Sequence, residues 1–342
     1  MKFVHIPTER TWLLPTGMIP LANLVKKYKD VEVIHYGIDP IDLSDEDIIL
    51  FDLHWHDQAL DVIDKCKELT CKKILGGFTA TFYADEILNN YPVDYVVKGY
   101  AESELLKLMG INKSININEL EYSNFGILRN YKKYLKDKTF VFTPGRGCPV
   151  NCTYCGGGKT VQKMCGLDKP IFLNPEKVVE ELKNSLNYGI NKWLVSFDPK
   201  PKGNYYIELF NMIDFHINCQ FDCWGLPTFE FIDKFKETFE NGTITISPRI
   251  GNEVLRFKNK GLPFTDNELY NTIDYIISKG INYKVYLASN FPEDNINIII
   301  EKLGKENCAI GRIEWEPGSK LSKYSTFKAL YLSQKIRRMS EN

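Results

Sequence analysis

Short apolar runs alternate with stretches of helical period along nearly the whole chain. In the first 110 positions the runs are "KFVHI" from Lys2, "VEVIHYGI" from Val31, "DIILFDL" from Asp47, "KKILGG" from Lys72 and "DYVVKG" from Asp94. Between them lie "GMIPLANLVKKYK" and "DQALDVIDKCKEL", and "TFYADEILNN" follows the fourth run. Near-continuous apolar strands joined by amphipathic helices predict a parallel sheet covered on both faces, a doubly wound α/β domain. Ligands of such folds sit beyond the carboxyl ends of the strands. The stretches that fall there are "PTERTWLLPTG", "DLHWHDQ", "GGFTAT" and "KGYAESE".

Residues 111–138 carry Asn, Lys and Tyr without a period and read as a linker. From Thr139 the alternation resumes, with strands "TFVFTPG", "KWLVSFDP", "QFDCWGL", "TITISPRI", "YKVYLASN" and "IGRIEWEP". Helical segments intervene, among them "PEKVVEELKNSLNYG" and "TDNELYNTIDYIISKG", and "FKALYLSQKIRRM" closes the chain. Six β/α units fall short of the eight of a complete barrel, so residues 139–342 predict an open partial barrel. Its chemistry belongs at the strand carboxyl ends.

Composition narrows the class. At 342 residues the chain is long enough for two domains, each with its own core. A net charge of −1 offers no broad basic surface for nucleic acid. "MKFVHIPTERTW" has too short an apolar run for a signal peptide, and no segment reads as a membrane span, so the expected location is the cytoplasm. Nine cysteines in such a chain point to buried, metal-bound or catalytic thiols before disulfides.

Three of the nine stand out. "FTPGRGCPVNCTYCGGGKT" places Cys148, Cys152 and Cys155 in a C-x3-C-x2-C run directly after the first strand of the second half. Glycines around them allow a tight fold, so the thiolates are able to converge. A structural zinc site wants four ligands, and Cys219 with Cys223 would have to complete it. Plain burial is the second reading, since free cysteine is often a small core residue. The third is an iron–sulfur cluster. Such cubanes ordinarily take four thiolates, so three leave one iron open to a substrate.

With Tyr154 just before Cys155, the loop matches C-x3-C-aromatic-C, and with the six β/α units it resembles the radical S-adenosylmethionine (SAM) superfamily. The resemblance implies that Cys148, Cys152 and Cys155 hold a [4Fe–4S] cluster whose open iron binds the amino and carboxylate groups of SAM. It implies reductive cleavage of SAM to a 5′-deoxyadenosyl radical, with an electron donor such as flavodoxin or ferredoxin. Further positions follow from the same resemblance. Asp198 in "SFDP" would meet the SAM amino group, although the usual Gly-Gly-Glu is absent. Ser247 and Arg249 in "TITISPRI" would meet the carboxylate, Arg249 having a salt bridge within the barrel as its ordinary alternative. Ser289 and Asn290 in "YLASN" would lie near ribose or adenine, and Gly156, Gly157 and Gly158 would admit the adenine. The segment "GNEVLRFKNKGLPFTDNELYNTIDYIISKGI" is similar to the region after the fourth strand of larger radical SAM enzymes, which implies a scaffold role.

The first half has its own counterpart. "LGGFTATFYADEILNNYPVDYVVKGYAESELLKL" resembles the vitamin B12-binding domain fused ahead of many radical SAM cores. Tyr100-Ala101-Glu102 stands where Gly-Glu is usual. The resemblance implies cobalamin contacts at Gly76, Gly77, Thr79 and Gly99, with glycines admitting a nucleotide tail. The D-x-H-x-x-G motif that ligates cobalt elsewhere is absent, and whether cobalamin binds is left open. Asp52-Leu53-His54-Trp55-His56 is a partial match in a different loop. His54 and His56 would touch cobalamin or substrate, or simply cap the next helix. Cys219 and Cys223 read as strand packing, or as a hydrogen-atom donor or second-cluster ligands, while Cys165 has no assigned role. Cys66 and Cys71 read as structural.

The expectation is therefore a cobalamin-dependent radical SAM methyltransferase acting on an unactivated carbon, its acceptor a small metabolite, peptide or carrier-bound group. The alternatives are cobalamin-independent hydrogen abstraction above a degenerate first domain, and a zinc-stabilised binding protein.

Overall fold

A computed structural model describes residues 1–7, 15–37, 39, 48–135, 137–198, 204–313 and 315–341. Much of the "PTERTWLLPTG" stretch and Pro199 of "SFDP" lie outside these.

The first sheet is built from β1 (Lys2–His5), β2 (Glu32–His35), β3 (Ile48–Asp52), β4 (Lys72–Gly76) and β5 (Tyr95–Val96). All its pairings are parallel, in the order β2-β1-β3-β4-β5. That is the flavodoxin-like doubly wound order, whose strand sequence reverses at β1/β3. The strands are short and apolar because both faces are covered: Phe3, Val4, Ile49, Phe51 and Leu75 are fully buried.

The second sheet uses β6 (Thr139–Val141), then, after a short antiparallel pairing of β7 (Gly145–Arg146) with β8 (Ile171–Phe172), β9 (Lys192–Phe197), β10 (Asn218–Cys223), β11 (Thr243–Arg249), β12 (Asn282–Ala288) and β13 (Cys308–Gly311). Six parallel strands run β13-β12-β11-β10-β9-β6, the predicted open partial barrel. Burial alternates along β9 and β10. Trp193, Phe197, Phe221 and both Cys219 and Cys223 lie on the buried face, where Phe221 packs on Phe231 of an outer helix. Lys192, Gln220 and Asp222 occupy the other face, joined in a chain by Lys192 Nζ donating to Gln220 (2.9 Å) and Gln220 donating to Asp222 (3.1 Å). Burial holds the Cys219 thiol well above its ordinary pKa. Cys219 and Cys223 are thus packing residues on the helix side of the sheet, not thiols facing the barrel interior.

Three further expectations change. Two barrel strands start two residues earlier than their apolar runs suggested: the third at Asn218, the sixth at Cys308, which ends at Gly311. The stretch read as a linker is packed rather than loose. Phe125, Ile127 and Leu128 are buried in the core shared by both sheets, and Phe125 meets Phe140 edge-on. The closing helix Phe327–Glu341 leaves the barrel and returns to the first sheet's helices. Phe327, Leu330 and Tyr331 join that domain's core, and Glu86 accepts from the N–H groups of Phe327 and Lys328 (2.7 and 2.8 Å).

Candidate active site at the cysteine loop

The first barrel strand delivers the chain to the cysteine loop at the carboxyl edge of the second sheet. Tyr154 is buried there with Ile250, Ala288, Phe291 and Ile313, residues that follow or end β11, β12 and β13, and Cys152 and Cys155 pack against the same group. The cysteines therefore sit half-buried at the mouth of the barrel, Cys152 and Cys155 against an apolar cluster.

The thiols are held by backbone donors. Gly157 N–H donates to Cys155 Sγ (3.3 Å), and Gly261 N–H donates to Cys152 Sγ (3.2 Å). Burial pushes the Cys155 thiol up to about 11 and raises that of Cys148. The thiols sense one another's charge. A cation held at the loop would displace the protons of such raised thiols. Among the described residues no three His, Cys, Asp or Glu side chains converge on a point fit for one metal ion. Three thiolates, each able to take its own iron, are the donor set of a cubane with one open corner.

Around the loop, the anticipated residues divide. Arg249 lies at the mouth, at a register shift between β11 and β12, with φ +66°. A non-glycine residue there is strained, the kind of outlier that accompanies function. Its guanidinium stands 3.9 Å over the Tyr286 ring, a cation–π contact. Ser247 is buried on the same strand end. Asp198 directly follows β9, close enough for its charge to act on Cys148. Asn290 has both ends of its amide engaged: Nδ2 donates to the Ile313 carbonyl and Oδ1 accepts from the Ile313 N–H, each at 2.7 Å. Ser289 donates through its N–H to Gly311 (2.9 Å). These two clip β12 to β13.

The glycines have a different explanation from the one expected. A Cβ on Gly156 would lie 2.5 Å from Glu316 Cβ, and one on Gly158 2.8 Å from Asn151 Oδ1. One on Gly77, at φ +105°, would meet the His54 backbone at 2.7 Å, and one on Gly99, at φ +76°, the Cys165 carbonyl at 2.5 Å. The close approach these positions allow is that of the chain itself. Gly157 and Gly76 are less crowded; Gly157 faces Phe78 at 3.6 Å, and nothing lies within 4 Å of Gly76. Thr79 Oγ1 donates to the His54 carbonyl (2.9 Å), and the His54 ring packs against Phe78 (4.7 Å between centroids). His56 is buried and pairs through Nδ1 with Glu316 (2.7 Å). Neither histidine is a mere solvent cap. Together they press the first sheet's edge onto Gly156 and Gly157. Cys165 is buried at the same seam against Gly99.

The sequence reading missed three neighbours. Asn259, Lys260 and Gly261 belong to the segment expected to be scaffold, yet they grip the cysteine loop. Thr153 N–H donates to the Asn259 carbonyl (2.9 Å) and Thr153 Oγ1 to Asn259 Oδ1 (2.9 Å). Lys260 is 7% exposed, and burial brings its pKa down to about 8 against the pull of the Cys152 thiol. Nothing local in "FKNKGLP" announces this, since the contact spans 109 positions.

Residues 142–303 match the family model of the Radical SAM superfamily. The barrel half of the chain is thus similar to the radical SAM superfamily. That family uses a [4Fe–4S] cluster and SAM. An uncharacterised protein of Methanocaldococcus jannaschii is 23% identical over 331 residues, covering 86% of this chain and 71% of its own. The fold is similar to that of the radical SAM methyltransferase TsrM of Kitasatospora setae, solved with tryptophan and a SAM analogue (TM-score 0.72, 11% identity, 94% of this chain and 74% of that one). It is also similar to the cobalamin-dependent SAM radical enzyme OxsB, solved with aqua-cobalamin (TM-score 0.65, 14% identity, 99% of this chain and 55% of that one). Among the described residues no helix is long and apolar enough to cross a membrane.

Proposed function

We propose that this radical SAM protein reductively cleaves SAM at a cluster held by Cys148, Cys152 and Cys155, and uses the radical in a cobalamin-dependent methyl transfer to an unactivated carbon. The observation that carries the first half is the cysteine loop at the barrel mouth, with its apolar cluster and its two N–H donors to sulfur. A [4Fe–4S] cluster supplies one-electron reduction of SAM and an open iron for its amino-acid end. This chain's residues then bind and shield. Arg249 and Lys260 provide positive charge suited to the methionine carboxylate, Asp198 an acceptor for the amino group, and Tyr154 with Ile250 and Phe291 an apolar wall.

The methyl-transfer half is supported by the likeness to TsrM and OxsB, which spans both domains. A second reading, hydrogen abstraction without cobalamin, is favoured by the filled positions beside Gly77 and Gly99 and by Phe78 lying against Gly157. Anaerobic reconstitution with iron, sulfide and hydroxocobalamin, followed by desalting, separates the two. About one cobalamin retained per chain supports methyl transfer; none, with an intact cluster, leaves the second reading. Arg249→Ala weakens SAM binding if Arg249 meets the carboxylate, and unchanged SAM affinity returns it to a structural role.

A further inference from the structure

The cysteine loop has two flanks. One is covered by the first domain, through Phe78 on Gly157 and the His56–Glu316 pair beside Gly156. The other lies close to the surface. Thr153 donates its N–H to Asn259, and its carbonyl accepts from the Leu321 N–H (2.9 Å each), so these two segments border the loop on its outer flank.

The side chains displayed there are inverted relative to an ordinary surface helix. The helix Glu253–Asn259 buries its arginine and exposes two of its three apolar residues, Leu255 alone packing inward. Arg256 is wholly buried, donating to the carbonyls of Phe264 (2.9 Å) and Ile250 (3.0 Å) and to Asp266. Val254 is 76% exposed and Phe257, one turn on, 50% exposed; Leu321 across Thr153 is 37% exposed. Exposed lysines stand in the same segments: Lys258 beside Phe257, Lys320 and Lys323 flanking Leu321, and Lys159, whose N–H donates to Val150 at the start of the loop (2.8 Å). Among the described residues none of the four enters an ion pair. Glu253 beside Val254 is the one carboxylate on that helix and is engaged by the Asp266 N–H; a few bare apolar side chains among mostly basic neighbours is the composition of a small, transient, electrostatically steered interface.

We propose that Val254, Phe257 and Leu321, ringed by Lys159, Lys258, Lys320 and Lys323, dock a small acidic redox protein that reduces the cluster. The proposal rests on the radical SAM reading and specifies where its electron enters. In the step itself the partner's cofactor gives up one electron and the cluster accepts it; no bond forms or breaks. Entry on this flank keeps the path short, since Cys152 lies against the backbone of the docking segment, whereas the opposite flank is roofed by a domain.

The test uses the full reconstituted chain and measures 5′-deoxyadenosine from SAM under two reductants: reduced flavodoxin, an acidic one-electron protein, and dithionite. The double variant Val254→Asp with Phe257→Asp, and separately the triple variant Lys258→Glu, Lys320→Glu, Lys323→Glu, should each lose about tenfold or more of the flavodoxin-driven rate. Their dithionite-driven rate and iron content should match the parent. Raising salt should slow the parent's flavodoxin-driven reaction and leave the lysine variant nearly unaffected. Undiminished flavodoxin rates in both variants overturn the docking face, as does an equal fall under both reductants. A shift from dimer to monomer in the apolar variant without a selective loss assigns the face to a second copy instead. Absence of SAM cleavage under dithionite in the parent is a distinct result; it removes the radical SAM reading and the docking face with it.

Discussion

Two parallel sheets present their carboxyl edges to one another across the cysteine loop, and they are finished in opposite ways. At the first edge the sharp turns are consolidated. Gly77 tucks under the His54 backbone, Gly99 under Cys165, and Thr79 and Thr81 hydrogen-bond into the same turns. At the second edge the molecule carries unresolved stress: a left-handed Arg249 and a buried Lys260 with no ion-pair partner among the described residues. Strain and uncompensated polarity of this kind persist where surrounding structure enforces them, and they concentrate where a ligand is expected to relieve them. The same architecture can therefore leave one edge reactive and make the other a packing surface.

The largest effects are expected at the reactive edge. Replacing Cys148, Cys152 or Cys155 by Ala should abolish iron incorporation and SAM cleavage while circular dichroism and melting of the metal-free protein change little; full iron content in any of the three would end the cluster assignment. Next comes Arg256→Ala. It removes a buried cation that ties three backbone carbonyls to Asp266, so a loss of about 3–5 kcal/mol is expected. Because Arg256 braces the helix leading to Asn259 and Gly261, the loss should appear both in chemical denaturation and in weaker retention of iron. A stable variant with normal iron would show that the clamp on Cys152 needs no such brace.

What was legible in the sequence follows from the range of each interaction. The cysteine loop is eight residues of local spacing, and the strands are periodic runs, so both could be read directly. The Gly77 and Gly99 turns were recognisable as special backbone, but not what approaches them, because His54 and Cys165 are brought there by the fold. The grip of Asn259 and Gly261 on Thr153 and Cys152 was equally invisible. So was the return of Phe327 and Leu330 to the first sheet: an amphipathic helix states that it will bury a face, not against which domain. Asn290 shows the converse error, a polar residue at a strand end whose amide is wholly used in joining β12 to β13.

The contrast between the edges is sharpened by Gly77→Ala and Gly99→Ala. If these glycines serve packing, each variant should be less stable by about 1–3 kcal/mol from left-handed backbone strain and the backbone clash, with or without hydroxocobalamin. Thermal melts of the metal-free protein read this directly. Unchanged melting with a selective fall in cobalamin retention would mean that the first edge, too, is kept open for a ligand.

The smallest effect should come from the opposite end of the first sheet, remote from both carboxyl edges. Glu32 opens β2 and accepts from Arg129 Nε (2.9 Å) and Nη2, with Lys2 beside it, stapling the crossing segment to the sheet. Arg129 chiefly, and Lys2 after it, hold the Glu32 carboxyl at about 2, below its usual 4.5. A carboxyl lowered on folding stabilises fully above 4.5 and loses that contribution as pH falls from 4.5 toward 2, where the folded state must also take up the proton. The pair is half-buried and still reached by solvent, so screening limits its worth to about 0.5–1 kcal/mol. Glu32→Gln should therefore lower the denaturation midpoint slightly at pH 7 and flatten the decline of stability between pH 4.5 and pH 2, without touching iron content or SAM cleavage. A fall in either activity measure would mean that the packed segment 111–138 transmits strain from this edge to the cysteine loop, and the two edges would then have to be treated as one mechanical unit.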